Sequence, residues 1–173
     1  MLALLTLSAG CLSALGRPKA AEFIIPIESR LILQVPFFVD ENMSCGPAAL
    51  ASVMTYNGRP VAAESAALNL TDNIRGMGRD MVIWARREGL KADFYAGSPE
   101  NLVECVRQHK PIIVRLDQGV PPVEKGSYAV IVGYNPDGPV VNSCSVNQQI
   151  LPWSDFLAAW YKADYFTVLI EPL

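Results

Sequence analysis

The sequence predicts an α+β domain in which helices come first and a mostly antiparallel sheet follows. Apolar residues recur at helical spacing in the first half, whereas short β-branched and aromatic runs, bounded by Pro, Gly and Asp, occupy the second half. The chain has 173 residues, of which 51% are hydrophobic and 18% are charged. This length and composition favour one globular domain with a substantial core.

Helical periodicity predicts five helices along the chain. The first begins with Gly-Pro immediately after Cys45 and stops at Gly58. The predicted ranges are 46–57, 62–69, 79–88, 99–109 and 152–161. The last of these places Trp153, Phe156 and Trp160 on one face. We assign these aromatic and methionine stripes to the core.

The predicted strands are the runs "KADFY", "PIIVRL", "SYAVIVGY", "PVVNSC" and "DYFTVLIE". The tetrapeptide "NPDG" at 135–138 is a turn signal, so 128–134 and 139–145 should form a hairpin. Pairing Tyr134 with Pro139 then makes position 127 a spatial neighbour of positions 142–144.

The first ten residues, "MLALLTLSAG", are apolar and uncharged, too short to span a bilayer, and followed by Cys11. They predict an export signal over 1–10. The "SAGC" end resembles the lipoprotein box of bacteria, which implies that Cys11 carries lipid and anchors an exported, periplasmic protein at the cell envelope. A plain cleaved signal and an ordinary apolar N-terminal element are the alternatives.

Charge and cysteine spacing exclude several classes of site. The formal net charge is −3, the pI is near 5.1, and no basic cluster exceeds a pair, so nucleic acid is not expected as a partner. No C-x-x-C spacing occurs, so we expect neither a metal nor another cofactor. Export would leave Cys45, Cys105 and Cys144 in an oxidising space, where an odd count leaves one thiol unpaired or bonded between molecules.

Cys45 lies where the first helix begins. The unpaired N–H groups and the positive dipole end of a helix favour thiolate over thiol, which suits a nucleophile. Free cysteine is also among the most buried residue types. Position alone leaves both interpretations open.

The segments "VPFFVDENMSCGPAALASVMTYNG" and "GSYAVIVGYNPDG" resemble the bacteriocin-processing, double-glycine-cleaving cysteine peptidase family and its lipoprotein relatives. The resemblance runs from about Val35 to the C-terminus, within a domain that we place at 23–173. It implies a papain-like fold in which helices pack on the sheet. It also implies a cleft that accepts a peptide or a protein segment.

The resemblance implies that three of four catalytic positions are replaced. The family's nucleophile is retained as Cys45, but Asp40 stands at the oxyanion glutamine position, Ser127 at the histidine position and Ser143, next to Asn142, at the aspartate position. Serine cannot act as the general base, and a carboxylate at position 40 would repel a developing oxyanion. We therefore expect negligible proteolysis.

The remaining polar residues receive less specific interpretations. The only histidine, His109, precedes "PIIVRL" and should lie near Tyr134, far from Ser127. Asn142 is interpreted as a hydrogen-bonding residue at a strand end. Cys105 is expected to be buried.

Cys144 lies beside position 127, where the family's histidine would face Cys45. A Cys45–Cys144 disulfide is one hypothesis for this pair, and two unpaired thiols are the alternative.

Three functions follow from these features. The preferred one is a proteolytically inactive peptidase-like domain that binds a peptide or a partner's segment in a retained cleft. The second is an active cysteine peptidase or acyltransferase that uses Cys45 with a non-standard base. The third is a structural envelope lipoprotein whose cleft is closed by packing or by the disulfide. The oligomeric state is left open.

Overall fold

The structure, a computed structural model, describes residues 30–39, 45–120 and 123–173. Over this part of the chain a seven-stranded sheet carries five helices. Every strand pair is antiparallel, in the order β2-β7-β3-β4-β5-β6, and β1 pairs with β4 where β3 has ended. The strands are β1 Leu31–Ile32, β2 Leu90–Ala96, β3 Ile112–Asp117, β4 Gly126–Tyr134, β5 Pro139–Asn142, β6 Gln149–Ile150 and β7 Phe166–Pro172.

The helices are α1 Gly46–Tyr56, α2 Ala63–Ala67, α3 Ile74–Arg87, α4 Pro99–Arg107 and α5 Trp153–Lys162. All five were predicted, but two sets of bounds were wrong. Helix α3 begins five residues before the predicted 79, because the Asn73 side chain caps it by accepting from the Arg75 N–H at 3.0 Å. Helix α2 is shorter than 62–69. Within the described residues no helix has the length and apolar character needed to cross a membrane.

The hairpin of β4 and β5 positions one end of the site. Its turn is closed by Asn135, whose side chain accepts from the Asp137 and Gly138 N–H groups at 3.0 and 2.9 Å. Tyr134 pairs with Pro139, as predicted.

A bulge between Ile131 and Gly133 then shifts the register, so that Val130 pairs with Asn142. The predicted return strand, 139–145, was therefore too long. Strand β5 ends at Asn142, and Cys144 lies in the turn that follows.

Strands β1 and β6 were not predicted. Each has two residues, which is too short for apolar alternation to be recognised in the sequence. Gly133 permits the close approach of β1, since a Cβ at that position would lie 3.1 Å from the Cα of Ile32.

The core lies between the sheet and the helices. Helix α1 packs on β3 and β4, α3 on β2 and β7, and α5 on β3. Leu50, Val53 and Met54 of α1 are fully buried, and so is Trp160 of α5. The stripes that periodicity assigned to the core thus pack there, and the packing of α1 on β3 and β4 fixes the position of its first residue.

Candidate functional site

The local sequence Cys45-Gly46-Pro47 fixes the start of α1. Cys45 is the N-cap residue and adopts φ 58° and ψ −2°, a left-handed conformation that is uncommon for a residue with a side chain. Pro47 fits the first turn, where its missing N–H costs nothing. Gly46 lies against α3, because a Cβ there would overlap the Met77 side chain and come within 3.1 Å of Met81. The packing of α1 on α3 therefore positions the Cys45 sulfur.

Cys45 and Cys144 form a disulfide in the structure. Their Cα atoms are 4.7 Å apart, within the range that such bonds require, and they are separated by 99 positions in the chain. Cys45 is 3% exposed, whereas Cys144 is half-buried. The sulfur at the head of α1 is therefore not a free thiol, and the bond ties α1 to the turn after β5.

A cavity of about 570 Å³ opens beside this disulfide. Three of the predicted site positions besides Cys45 line it, namely Ser127, Ser143 and Cys144. Asn142 does not line it, and Asp40 lies outside the described residues. The full lining among the described residues is Cys45, Ile74, Leu116, Gln118, Lys125, Gly126, Ser127, Tyr128, Ala129, Val141, Ser143, Cys144, Ser145, Gln149 and Leu151.

The cavity wall combines apolar side chains with neutral hydrogen-bonding groups. Hydroxyl groups come from three serines and amides from Gln118 and Gln149, while Ile74, Leu116 and Leu151 give apolar surface. No acidic side chain is among the described lining residues, and no group of three metal-ligating side chains occurs in the part of the chain that the structure describes. Such a wall, in which Lys125 is the one charged side chain among the described lining residues, suits an extended ligand that forms hydrogen bonds and carries no positive charge.

Asn142 orders the turn that carries Cys144. Its side-chain Oδ1 accepts from the Gln148 N–H at 2.9 Å, and the Ser143 N–H donates to the Val146 carbonyl at 3.0 Å. The Asn142 side chain is buried, and its Nδ2 has no hydrogen-bond partner among the residues that the structure describes. Asn142 is thus a hydrogen-bonding residue at a strand end.

His109 lies far from the cavity. It is exposed, follows α4 in a left-handed conformation with φ 58°, and its carbonyl accepts from the Tyr56 hydroxyl at 3.1 Å. Strand β3 runs from Ile112 beside His109 to Leu116, which pairs with Ser127. At about 3.3 Å per residue, the four steps from Ile112 to Leu116 place roughly 13 Å of strand between the end of β3 next to His109 and position 127. Since the chain has one histidine, no imidazole reaches the cavity.

The sequence did not identify two of the lining residues, Tyr128 and Lys125, as part of the site. Tyr128 is buried, its hydroxyl donates to the Ile74 carbonyl at 2.7 Å, and burial raises its pKa to about 12. It is therefore neutral at physiological pH and links β4 to α3. Lys125 is exposed at the cavity edge. Neither was recognisable, because Tyr128 matches an ordinary strand aromatic and Lys125 an ordinary loop lysine.

Cys105 is the free thiol among the described residues, and it is buried. Its sulfur lies 3.9 Å from the Tyr95 hydroxyl, and burial raises the pKa of the thiol. It does not line the cavity.

Comparison with known proteins decides the family. Residues 32–167 match the Peptidase_C39 like family. The chain belongs to this family. The resemblance that the sequence motifs indicated is thereby confirmed. Among proteins with curated descriptions, none matches this C39-like chain significantly.

Solved structures support the papain-like α+β fold. A structure described as a C39-like peptidase from Bacillus anthracis superposes with a TM-score of 0.70 at 16% identity, over 84% of this chain and 99% of that one. A double glycine motif protease from an AMS/PCAT transporter, solved in complex with the leader peptide, gives a TM-score of 0.64 at 19% identity, over 84% of this chain and 100% of that one. The peptidase domain of Streptococcus ComA gives a TM-score of 0.62 at 19% identity, over 83% of this chain and 98% of that one. At such identities the likeness establishes the fold.

Proposed function

We propose that this C39-like domain is proteolytically inactive and binds a peptide, or an extended segment of a partner protein, in the cavity beside the Cys45–Cys144 disulfide. The observation that carries the proposal is the disulfide itself: the sulfur at the position of the nucleophile is bonded while the cavity next to it stays open.

The chemistry of peptide cleavage supports inactivity. Acyl transfer needs a free thiolate, a base that takes its proton and an acid that protonates the leaving amine. Here the sulfur is bonded and position 127 is a serine, whose hydroxyl is too weak a base and too weak an acid to transfer protons in catalysis near neutral pH. Removing a partner that activates a nucleophile typically costs on the order of 10⁶ in rate, so breaking the disulfide alone should not restore cleavage.

The cavity supports a binding role. Its volume of about 570 Å³ and its neutral hydroxyl and amide groups fit a peptide backbone with small side chains. The transporter protease of similar fold was crystallised with its leader peptide. The structural alternative, a cleft closed by the disulfide, is less favoured because the cavity remains beside the bond.

The cellular setting is part of the proposal. A disulfide in the cleft is the chemistry expected of an oxidising compartment. It agrees with an export signal at 1–10 and a lipid anchor at Cys11, both outside the described residues. These features support a location at the cell envelope as part of the proposal.

The test combines binding and hydrolysis of one peptide. A cysteine-free peptide with an internal Gly-Gly is titrated into oxidised protein by calorimetry, and the same mixture is followed by mass spectrometry with and without reductant. We expect saturable binding without cleavage in either state. Ser145→Trp, at the cavity wall, should weaken binding, whereas Ser65→Trp, exposed on α2, should not. Absence of binding at millimolar peptide, or cleavage that needs Cys45 after reduction, would overturn the proposal.

A further inference from the structure

The Cys45–Cys144 bond differs from a structural disulfide in its surroundings. Both sulfur-bearing residues line the cavity, so the bond borders space that a ligand can enter. The two ends are unequal, since Cys45 is 3% exposed and Cys144 is half-buried. Thiol–disulfide exchange depends on access to the attacked sulfur. Cys144 is therefore the end that an incoming thiolate reaches.

The buried end is suited to leave. Exchange is faster when the departing sulfur forms a stable thiolate. Cys45 heads α1, a helix of 11 residues with no acidic side chain in its first turn. The positive end of that helix stabilises a thiolate at this position and offsets part of the cost of burying its charge.

The cavity wall favours an incoming thiolate. Lys125 supplies the one formal charge among the described lining residues, and that charge is positive. A cation raises the local concentration of an anionic nucleophile and lowers the pKa of a thiol near it.

We propose that the Cys45–Cys144 bond is a thiol–disulfide exchange centre for thiol-bearing peptides that enter the cavity. The ligand thiolate attacks the Cys144 sulfur, a mixed disulfide forms between the ligand and Cys144, and the Cys45–Cys144 bond breaks with its electron pair leaving on Cys45 as thiolate. The reverse attack of Cys45 on Cys144 restores the bond and releases the ligand thiolate. No other oxidant or reductant takes part, because the ligand's thiol is the co-reactant.

The experiment uses the oxidised chain and reduced glutathione as the thiol-bearing peptide. The reaction is quenched at intervals with N-ethylmaleimide, which blocks the free thiols, and the adducts are mapped by non-reducing mass spectrometry. We expect the glutathione adduct on Cys144 and the maleimide on Cys45. At low salt, Lys125→Gln should slow adduct formation by about threefold, and added salt should remove that difference. Lys91→Gln, an exposed lysine on β2 at the opposite edge of the sheet, is the matched control.

Three results would overturn the proposal. The first is an adduct that maps to Cys45. The second is a rate of bond reduction by glutathione that equals the rate of global unfolding extrapolated to zero urea. The third is equal slowing by Lys125→Gln and Lys91→Gln.

Because the binding experiment uses a cysteine-free peptide, the two proposals fail separately. Peptide binding without glutathione exchange removes only the exchange centre, and exchange without peptide binding removes only the proposed function.

Discussion

Removing the cavity disulfide is expected to destabilise the fold strongly. The bond links positions 99 apart in the chain. Closing a loop of about 100 residues lowers the conformational entropy of the unfolded chain, which raises its free energy by roughly 4.7 kcal/mol at 25 °C. The double variant Cys45→Ala, Cys144→Ala should therefore lower the free energy of unfolding by about 4 to 5 kcal/mol. For a chain of this length the midpoint of thermal unfolding should fall by roughly 10–20 °C.

Urea denaturation followed by tryptophan fluorescence measures this effect. Trp153 and Trp160 are buried in the core, so their emission reports loss of packing. The matched control is Cys105→Ala, which also removes a buried cysteine side chain but leaves the bond intact.

The reasoning would be refuted by a double variant that unfolds at nearly the same urea concentration as Cys105→Ala. A difference in the free energy of unfolding below about 1 kcal/mol would mean that the loop is not closed in the folded chain. An equal fall in the free energy of unfolding of both variants would indicate that lost packing, and not loss of the bond, causes the destabilisation.

Three further predictions concern the packing around the site and the stability of the fold. Gly46→Ala should destabilise by about 1–3 kcal/mol in thermal unfolding, because the added methyl overlaps the Met77 side chain. In a double-mutant cycle the same change should cost less in a Met77→Ala background than in the native chain, although Met77→Ala is itself destabilising. Tyr128→Phe should cost about 1–2 kcal/mol and remove one phenol that titrates near pH 12 from an ultraviolet titration. A hydrogen bond from Lys110 holds the pKa of Glu171 below its ordinary value in the folded chain. The pair therefore stabilises the fold at pH values above the pKa that Glu171 has in the unfolded chain. This stability is lost as the pH falls through the lower pKa that Glu171 has in the folded chain. Lys110→Gln should therefore lessen the loss of stability as pH falls below 4.5, the ordinary glutamate pKa, and an unchanged acid-denaturation curve would contradict this.

The sequence was informative where local chemistry decides the conformation. Gly-Pro after Cys45 predicted the start of α1, and the turn at 135–138 predicted the pairing of Tyr134 with Pro139. These signals depend on φ restrictions and on side chains that bond to their own backbone. The same reasoning misplaced the start of α3, because Gly76 and Gly78 weaken helical propensity over its first turns.

The site was less predictable because its geometry depends on tertiary register. The bulge between Ile131 and Gly133 decides that β5 ends at Asn142. Its one sequence signal is Gly133, and a glycine within a strand is equally typical of a close approach by another segment of backbone. The distance between Cys45 and Cys144 depends on how α1 docks on β4, so the sequence left a disulfide and two free thiols both open. Lys125 acquires a position at the cavity only through the loop that precedes β4.

The state of the Cys45 sulfur tests the central claim most directly. Natively folded protein is treated with iodoacetamide near neutral pH, then digested without reductant and mapped by mass spectrometry. The account predicts a peptide pair joined through Cys45 and Cys144, no acetamide on Cys45, and Cys105 alkylated only after unfolding. Rapid alkylation of Cys45 in the folded protein, with Cys144 also free, would show an activated thiol and contradict the account.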